Sequence, residues 1–159
     1  MTRTGAASSV RNRDRHTTQP DKKAPAMTIN LARMLNGYTE CAEWADCGPD
    51  HETSGKDWSP ELLAEMETDC ARFVALCDET LPELLNDLAE LAPDYSDERF
   101  GHDFWLTRNG HGAGFWDRKE LEPVPDGSLY SLGDNLTEMA KRMGSCDLYV
   151  GDDNLVYAA

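Results

Sequence analysis

"GHDFWLTRNGHGAGFWDR", residues 101–118, sets two tryptophans, two phenylalanines and two histidines among glycines. The stretch reads as a β-hairpin. Phe104-Trp105-Leu106-Thr107 is aromatic and β-branched, Asn109-Gly110 is the commonest pair in a tight hairpin turn, and Gly114-Phe115-Trp116 can return. The glycine-rich return arm implies a longer loop or a bulge in place of a two-residue turn. On this reading Trp105 and Trp116 plug a small sheet onto helices, and the pattern changes to strands after "APDYSDER" (92–99).

Outward toward the C-terminus, "EPVPDGS" (122–128) is a loop and Leu129-Tyr130 a short strand. "GDNLTEMAKRMG" (133–144) reads as a helix with Asp134 as N-cap, Lys141 and Arg142 in the last turn, and Gly144 as C-cap. A second hairpin follows, Leu148-Tyr149-Val150 and Leu155-Val156-Tyr157 around a Gly-Asp-Asp-Asn turn. Outward toward the N-terminus, Ser59-Pro60-Glu61 is a helix start, with a hydroxyl cap, Pro at the first position and acid in the first turn. From there Leu62, Met66, Cys70, Phe73, Cys77, Leu81, Leu84, Leu88 and Leu91 recur at steps of three and four. The phase survives Pro82, which predicts a helix to about Asp78, a tight break, and a second helix to Leu91 on the same core. "GPDHETSGKD" (48–57) is a loop, and residues 28–47 read as short helical segments broken near Asn36-Gly37. The expected fold is α+β: N-terminal helices packed on a small antiparallel sheet built from two β-hairpins with an intervening helix.

Charge divides the chain. The whole carries 15 basic and 30 acidic side chains. Residues 1–26 hold six bases and two acids and too little apolar surface to offset chain entropy, so a disordered basic extension is expected there, with Met27 an equally good start. Residues 27–159 form the expected single domain, with nine bases against 28 acids, a net of −19. A body so acidic repels nucleic acid and anionic membranes and attracts basic surfaces. No apolar run approaches a membrane span, no secretory leader is visible, and five cysteines in a chain of this length fit a reducing cytoplasm.

Few residues promise chemistry. His102, Asp103, His111 and Asp117 are candidate metal ligands if the hairpin folds them together, since imidazole and carboxylate suit zinc or iron. Cys41, Cys47 and His51 lack the CxxC pair that would give their spacing force. Cys70 and Cys77 fall on the apolar stripe, as small core residues do. "GHGAG" (110–114) lacks the Lys-Ser/Thr ending of a phosphate loop. No catalytic residue and no cofactor is expected.

The carboxylates are more telling. Between Glu61 and Leu91 stand nine acids and one base, Arg72. Glu61, Glu65, Glu79, Glu83, Asp87 and Glu90 are the candidate partner-binding residues. Acids on successive turns recur about every 6 Å along a helix, close to the phosphate spacing of a nucleic-acid strand. Such a stripe can imitate duplex DNA toward a protein that binds it. Solubility is the plainer explanation of the same residues.

The 101–118 segment, the acidic helical stretch before it (Ser59–Leu91), the short helix after it (Leu136–Met143) and the "DLYVGDD" run (147–153) together resemble a family of small acidic proteins encoded by tailed bacteriophages and prophage regions. The resemblance covers Leu31 to Tyr157 and brings no reaction with it. It implies a setting, the cytoplasm of an infected bacterium. It also implies a role: binding, and possible inhibition, of a basic host protein that handles nucleic acid.

Overall fold

Ser96 opens a helix that runs through the stretch expected to start a hairpin. In the computed structural model, which describes residues 28–159, its hydroxyl accepts the Arg99 N–H at 3.2 Å, and Asp97 and Glu98 lie in the first turn beside the positive end of the helix dipole. The expected extension at 1–26 and the alternative start at Met27 lie outside the described residues. The elements are α1 (Leu31–Asp46), α2 (Pro60–Thr80), α3 (Leu84–Leu91), α4 (Asp97–Asn109), two 3₁₀ turns (Phe115–Asp117 and Lys119–Leu121), α5 (Leu132–Arg142), β1 (Leu148–Val150) and β2 (Val156–Ala158). No helix among the described residues is long and apolar enough to cross a membrane.

The α+β expectation is therefore corrected. The protein is largely helical, and among the described residues its one sheet is the two-stranded antiparallel pair β1–β2. The first hairpin does not exist. Phe104 to Thr107 lie in α4, and Phe100, Phe104 and Thr107 share its buried side at helical spacing. Asn109-Gly110 ends this helix instead of turning a strand. Gly110 adopts φ 71°, and the His111 N–H reaches back to the Leu106 carbonyl at 3.1 Å. A residue at ease at positive φ serves a hairpin turn and a helix C-cap equally well, so the pair alone could not decide between them.

Two other boundaries moved. α1 runs unbroken through Gly37, which is there for a close approach and not for a break. α5 is capped by Ser131, not Asp134: the Ser131 hydroxyl accepts the Asp134 N–H at 3.0 Å, and the Asp134 carboxylate accepts the Ser131 N–H at 3.3 Å. The Pro82 break and the Ser59 start stand as the apolar spacing predicts. The Ser59 hydroxyl takes the Leu62 N–H at 3.0 Å, and Pro82 lies between α2 and α3.

Packing centres on α1 and α4, which share the most extensive helix interface and run parallel. Asn30 meets Asp97, Met34 meets Gly101, Tyr38 meets Trp105 and Asp46 meets His111. The two backbones touch at Gly37 and Gly101. A side-chain carbon on Gly37 would collide with the Glu98 carbonyl, and one on Gly101 with the Met34 carbonyl. Around this crossing gathers an aromatic core. Phe73 of α2 stacks on Phe104 with ring centroids 4.0 Å apart, and Tyr38, Phe100, Trp105 and Phe115 complete the cluster. The terminal hairpin pairs Leu148 with Ala158 and Val150 with Val156, and it joins the start of α2. The Ser59 N–H donates to the Val156 carbonyl at 3.0 Å, and the Val156 N–H to the Asp57 carbonyl at 2.9 Å.

Candidate functional site

Of the four proposed metal ligands, His102 and Asp103 touch, Nδ1 to Oδ1 at 3.2 Å, while His111 and Asp117 are engaged elsewhere. Asp103, on α4, is 1 % exposed and accepts from the Tyr95 hydroxyl at 2.5 Å, from Arg118 Nε at 2.8 Å and from Arg118 Nη2. Burial pushes its carboxyl up. The hydrogen bonds from His102, Arg118 and Tyr95, with the Arg118 charge, pull harder and bring it down to about 2. His111 turns away from this group and contacts Asp46 Oδ2 at 3.0 Å; the same oxygen accepts the buried Trp105 indole N–H at 2.6 Å. Asp117 caps its own turn, accepting the Gly114 N–H at 3.0 Å. Among the described residues no three His, Cys, Asp or Glu gather to hold an ion. The Asp103 oxygens are already taken by an arginine and a tyrosine, so the metal reading is withdrawn.

Cys41, Cys70, Cys77 and Cys146 are core residues, and Cys47 is half-buried. Burial pushes the thiols of Cys41, Cys70 and Cys77 up to about 12 and that of Cys146 to about 11, so none is a thiolate at neutral pH. Sequence reading missed Arg108. From the last turn of α4 its guanidinium donates to Tyr38 Oη at 2.7 Å, Asp69 Oδ2 at 2.5 Å and the Gly144 carbonyl at 2.7 Å, and it stands 5.3 Å over the Phe104 ring. One side chain thus ties α1, α2 and α4 to the turn after α5.

Five arginines pair with acids of the same chain, Arg33, Arg72 and Arg99 at the surface and Arg108 and Arg118 more deeply. Arg33 pairs with Glu98, Arg72 and Arg108 with Asp69, Arg99 with Glu120 and Arg118 with Asp103. The carboxylates named above are mostly exposed, but they do not form one row. Glu61 and Glu65 stand on the first turns of α2, near enough to the terminal hairpin to act on Tyr157 and Cys146. Arg72 shares their side of α2 and separates them from Glu79, about 27 Å along the axis from Glu61 by the helix rise. A second group forms around α3. The Asp87 carboxyl is raised, first by burial and then by the charges of Glu83, Glu90 and Asp126. Asp126 comes from the loop before α5, so no helical periodicity could have pointed to it.

One open cleft of about 1110 Å³ lies between α5 and the 110–116 loop, with Leu106 and Met139 among its apolar lining and Trp116 and Tyr130 bordering it. The tryptophan pair splits here. Trp105 is fully buried, whereas Trp116 is 53 % exposed, against the expectation that both plug a core. Trp116→Ala will cost about 1–2 kcal/mol in a urea titration, against about 3–5 for the fully buried Trp105→Ala; equal losses would return Trp116 to the core. No protein-family model, no curated protein and no solved structure matches the chain.

Proposed function

We propose that the protein is a non-enzymatic accessory protein of a bacteriophage, acting in the cytoplasm of the host cell. Its acidic surface binds a basic host protein that handles nucleic acid, in the place nucleic acid would take. The observation that supports this reading is the carboxylate group Glu83, Asp87, Glu90 and Asp126. Its members lie close enough to raise the proton affinity of Asp87. Mutual repulsion among fixed carboxylates is relieved when a cationic surface arrives, which gives binding its driving force and its salt dependence. Glu61, Glu65 and Glu79 extend the field along α2, and the internal pairing of five arginines leaves little positive charge to cancel it.

The test is capture of basic proteins from a bacterial lysate at low salt, followed by competition with duplex DNA. Changing Glu61, Glu65, Glu79, Glu83 and Glu90 to Gln and Asp87 to Asn will keep the fold. It will raise stability by a few tenths of a kcal/mol for each i, i+4 repulsion removed. The same variant will lose the captured protein, and duplex DNA will displace that protein from the unaltered chain. Capture that survives all six substitutions, or that DNA cannot displace, would remove the basis for mimicry.

A further inference from the structure

The exposed side of α5 carries Asp134, Glu138, Lys141 and Arg142, at i, i+4, i+7 and i+8 and therefore on one face. Asp134 bonds only to the cap at Ser131, and none of the four forms an ion pair among the described residues. Read from the helix start, the face runs acid, acid, base, base. Its charges cancel, in a domain whose net charge is −19. The same four residues line the cleft bordered by Trp116 and by Tyr130, which is 62 % exposed, while the neighbouring Leu129 is 90 % exposed. Aromatic side chains left this open beside a cleft that also holds Leu106 and Met139 mark a surface built to be covered.

We propose that a second copy of the same chain covers it, with α5 packed antiparallel against α5 about a two-fold axis. A two-fold axis across a helix face reverses the direction of the second helix, so every contact occurs twice. Centred near Met139 and Ala140, that reversal sets Glu138 of each copy opposite Lys141 and Arg142 of the other. The two helix dipoles also oppose favourably. Elsewhere two such acidic bodies repel one another; here each face carries its own complement. The dimer covers neither carboxylate group, because none of the six stripe residues lines this cleft. This inference is independent of the proposed binding of a basic partner.

Charge reversal tests it. The full chain, followed by sedimentation equilibrium over a range of concentrations, will show a monomer–dimer equilibrium. Glu138→Lys alone, and Lys141→Glu with Arg142→Glu alone, will each weaken the dimer by about tenfold or more. An equimolar mixture of the two variants will restore it, because each then supplies the charge the other lacks. Trp116→Ala will also weaken the dimer while leaving the circular dichroism spectrum unchanged, so the proposal stays testable if either charge variant folds poorly. A chain that stays monomeric at every concentration overturns the proposal and leaves the cleft to a different partner. So does a dimer indifferent to these changes, or a mixture that fails to recover.

Discussion

Gly101→Ala will destabilise the protein by about 3 kcal/mol, although helix propensity alone favours alanine over glycine by about 1 kcal/mol. The sign is set by the α1–α4 crossing. At Gly101 a methyl group would overlap the Met34 carbonyl oxygen and press on the Tyr38 backbone nitrogen; at Gly37 it would overlap the Glu98 carbonyl. The obstacle in each case is helix backbone, which cannot rotate away as a side chain can. The two helices must part, and the aromatic stack of Tyr38, Phe73 and Phe104 parts with them. In a domain whose total stability is about 5–15 kcal/mol, such a loss is large. Gly48→Ala is the control, since a carbon there meets only ordinary contacts with Trp44 and His51. Urea titration of the three alanine variants decides the matter. A Gly101→Ala protein as stable as the original would mean the helices are not in backbone contact.

A comparable loss, about 3–5 kcal/mol, is expected from Asp103→Ala, because Arg118 loses its buried carboxylate and the Tyr95 hydroxyl keeps only the Arg99 carbonyl at 3.3 Å. Adding Arg118→Met should recover part of it, giving a positive coupling in a double-mutant cycle. The same carboxylate dictates an acid response. Its folded-state value is about 2 against an ordinary 3.8, so its contribution is complete above pH 4 and disappears as pH falls through 4 toward 2. The depression corresponds to roughly 2 kcal/mol. Asp103→Asn should be less stable at pH 7 and should lose less on acidification over that interval. If both proteins lose stability in parallel, Asp103 is not the group that titrates.

The sequence pattern located α2 and α3 because one signal, apolar steps of three and four, ran uninterrupted from Leu62 to Leu91 and was punctuated by Ser59-Pro60 and Pro82. It failed at residues 96–118 because two signals competed. Aromatic, β-branched residues before Asn-Gly describe a strand and its turn. Ser96-Asp97-Glu98 followed by Phe100, Phe104 and Thr107 describes a helix, and burial on α1 makes the second account correct. Partners distant in the chain were beyond any local pattern. Asp46 receives Trp105 and His111, and Arg108 reaches Tyr38, Asp69 and Gly144, only once α1, α2 and α4 have assembled. The carboxylates were legible as composition. Their division between the hairpin side of α2 and the surroundings of α3 required the fold.

The seam between the terminal hairpin and the start of α2 also orders events during translation. Ser59 and Asp57 bond to Val156, and Lys56 donates to Asn154 across 98 residues of chain. On the ribosome, α1 and α2 emerge while that partner strand has yet to be made. The entry to α2 must therefore wait with the backbone groups of Asp57 and Ser59 open to water, and the aromatic core can gather before this edge is closed. A stalled nascent chain in which Leu121 but not Val156 has left the exit tunnel would have α1, α2 and α4 free to meet while the α2 entry stays unsealed. Limited proteolysis of such stalled chains should cut between Cys47 and Trp58 until Val156 has cleared the exit tunnel.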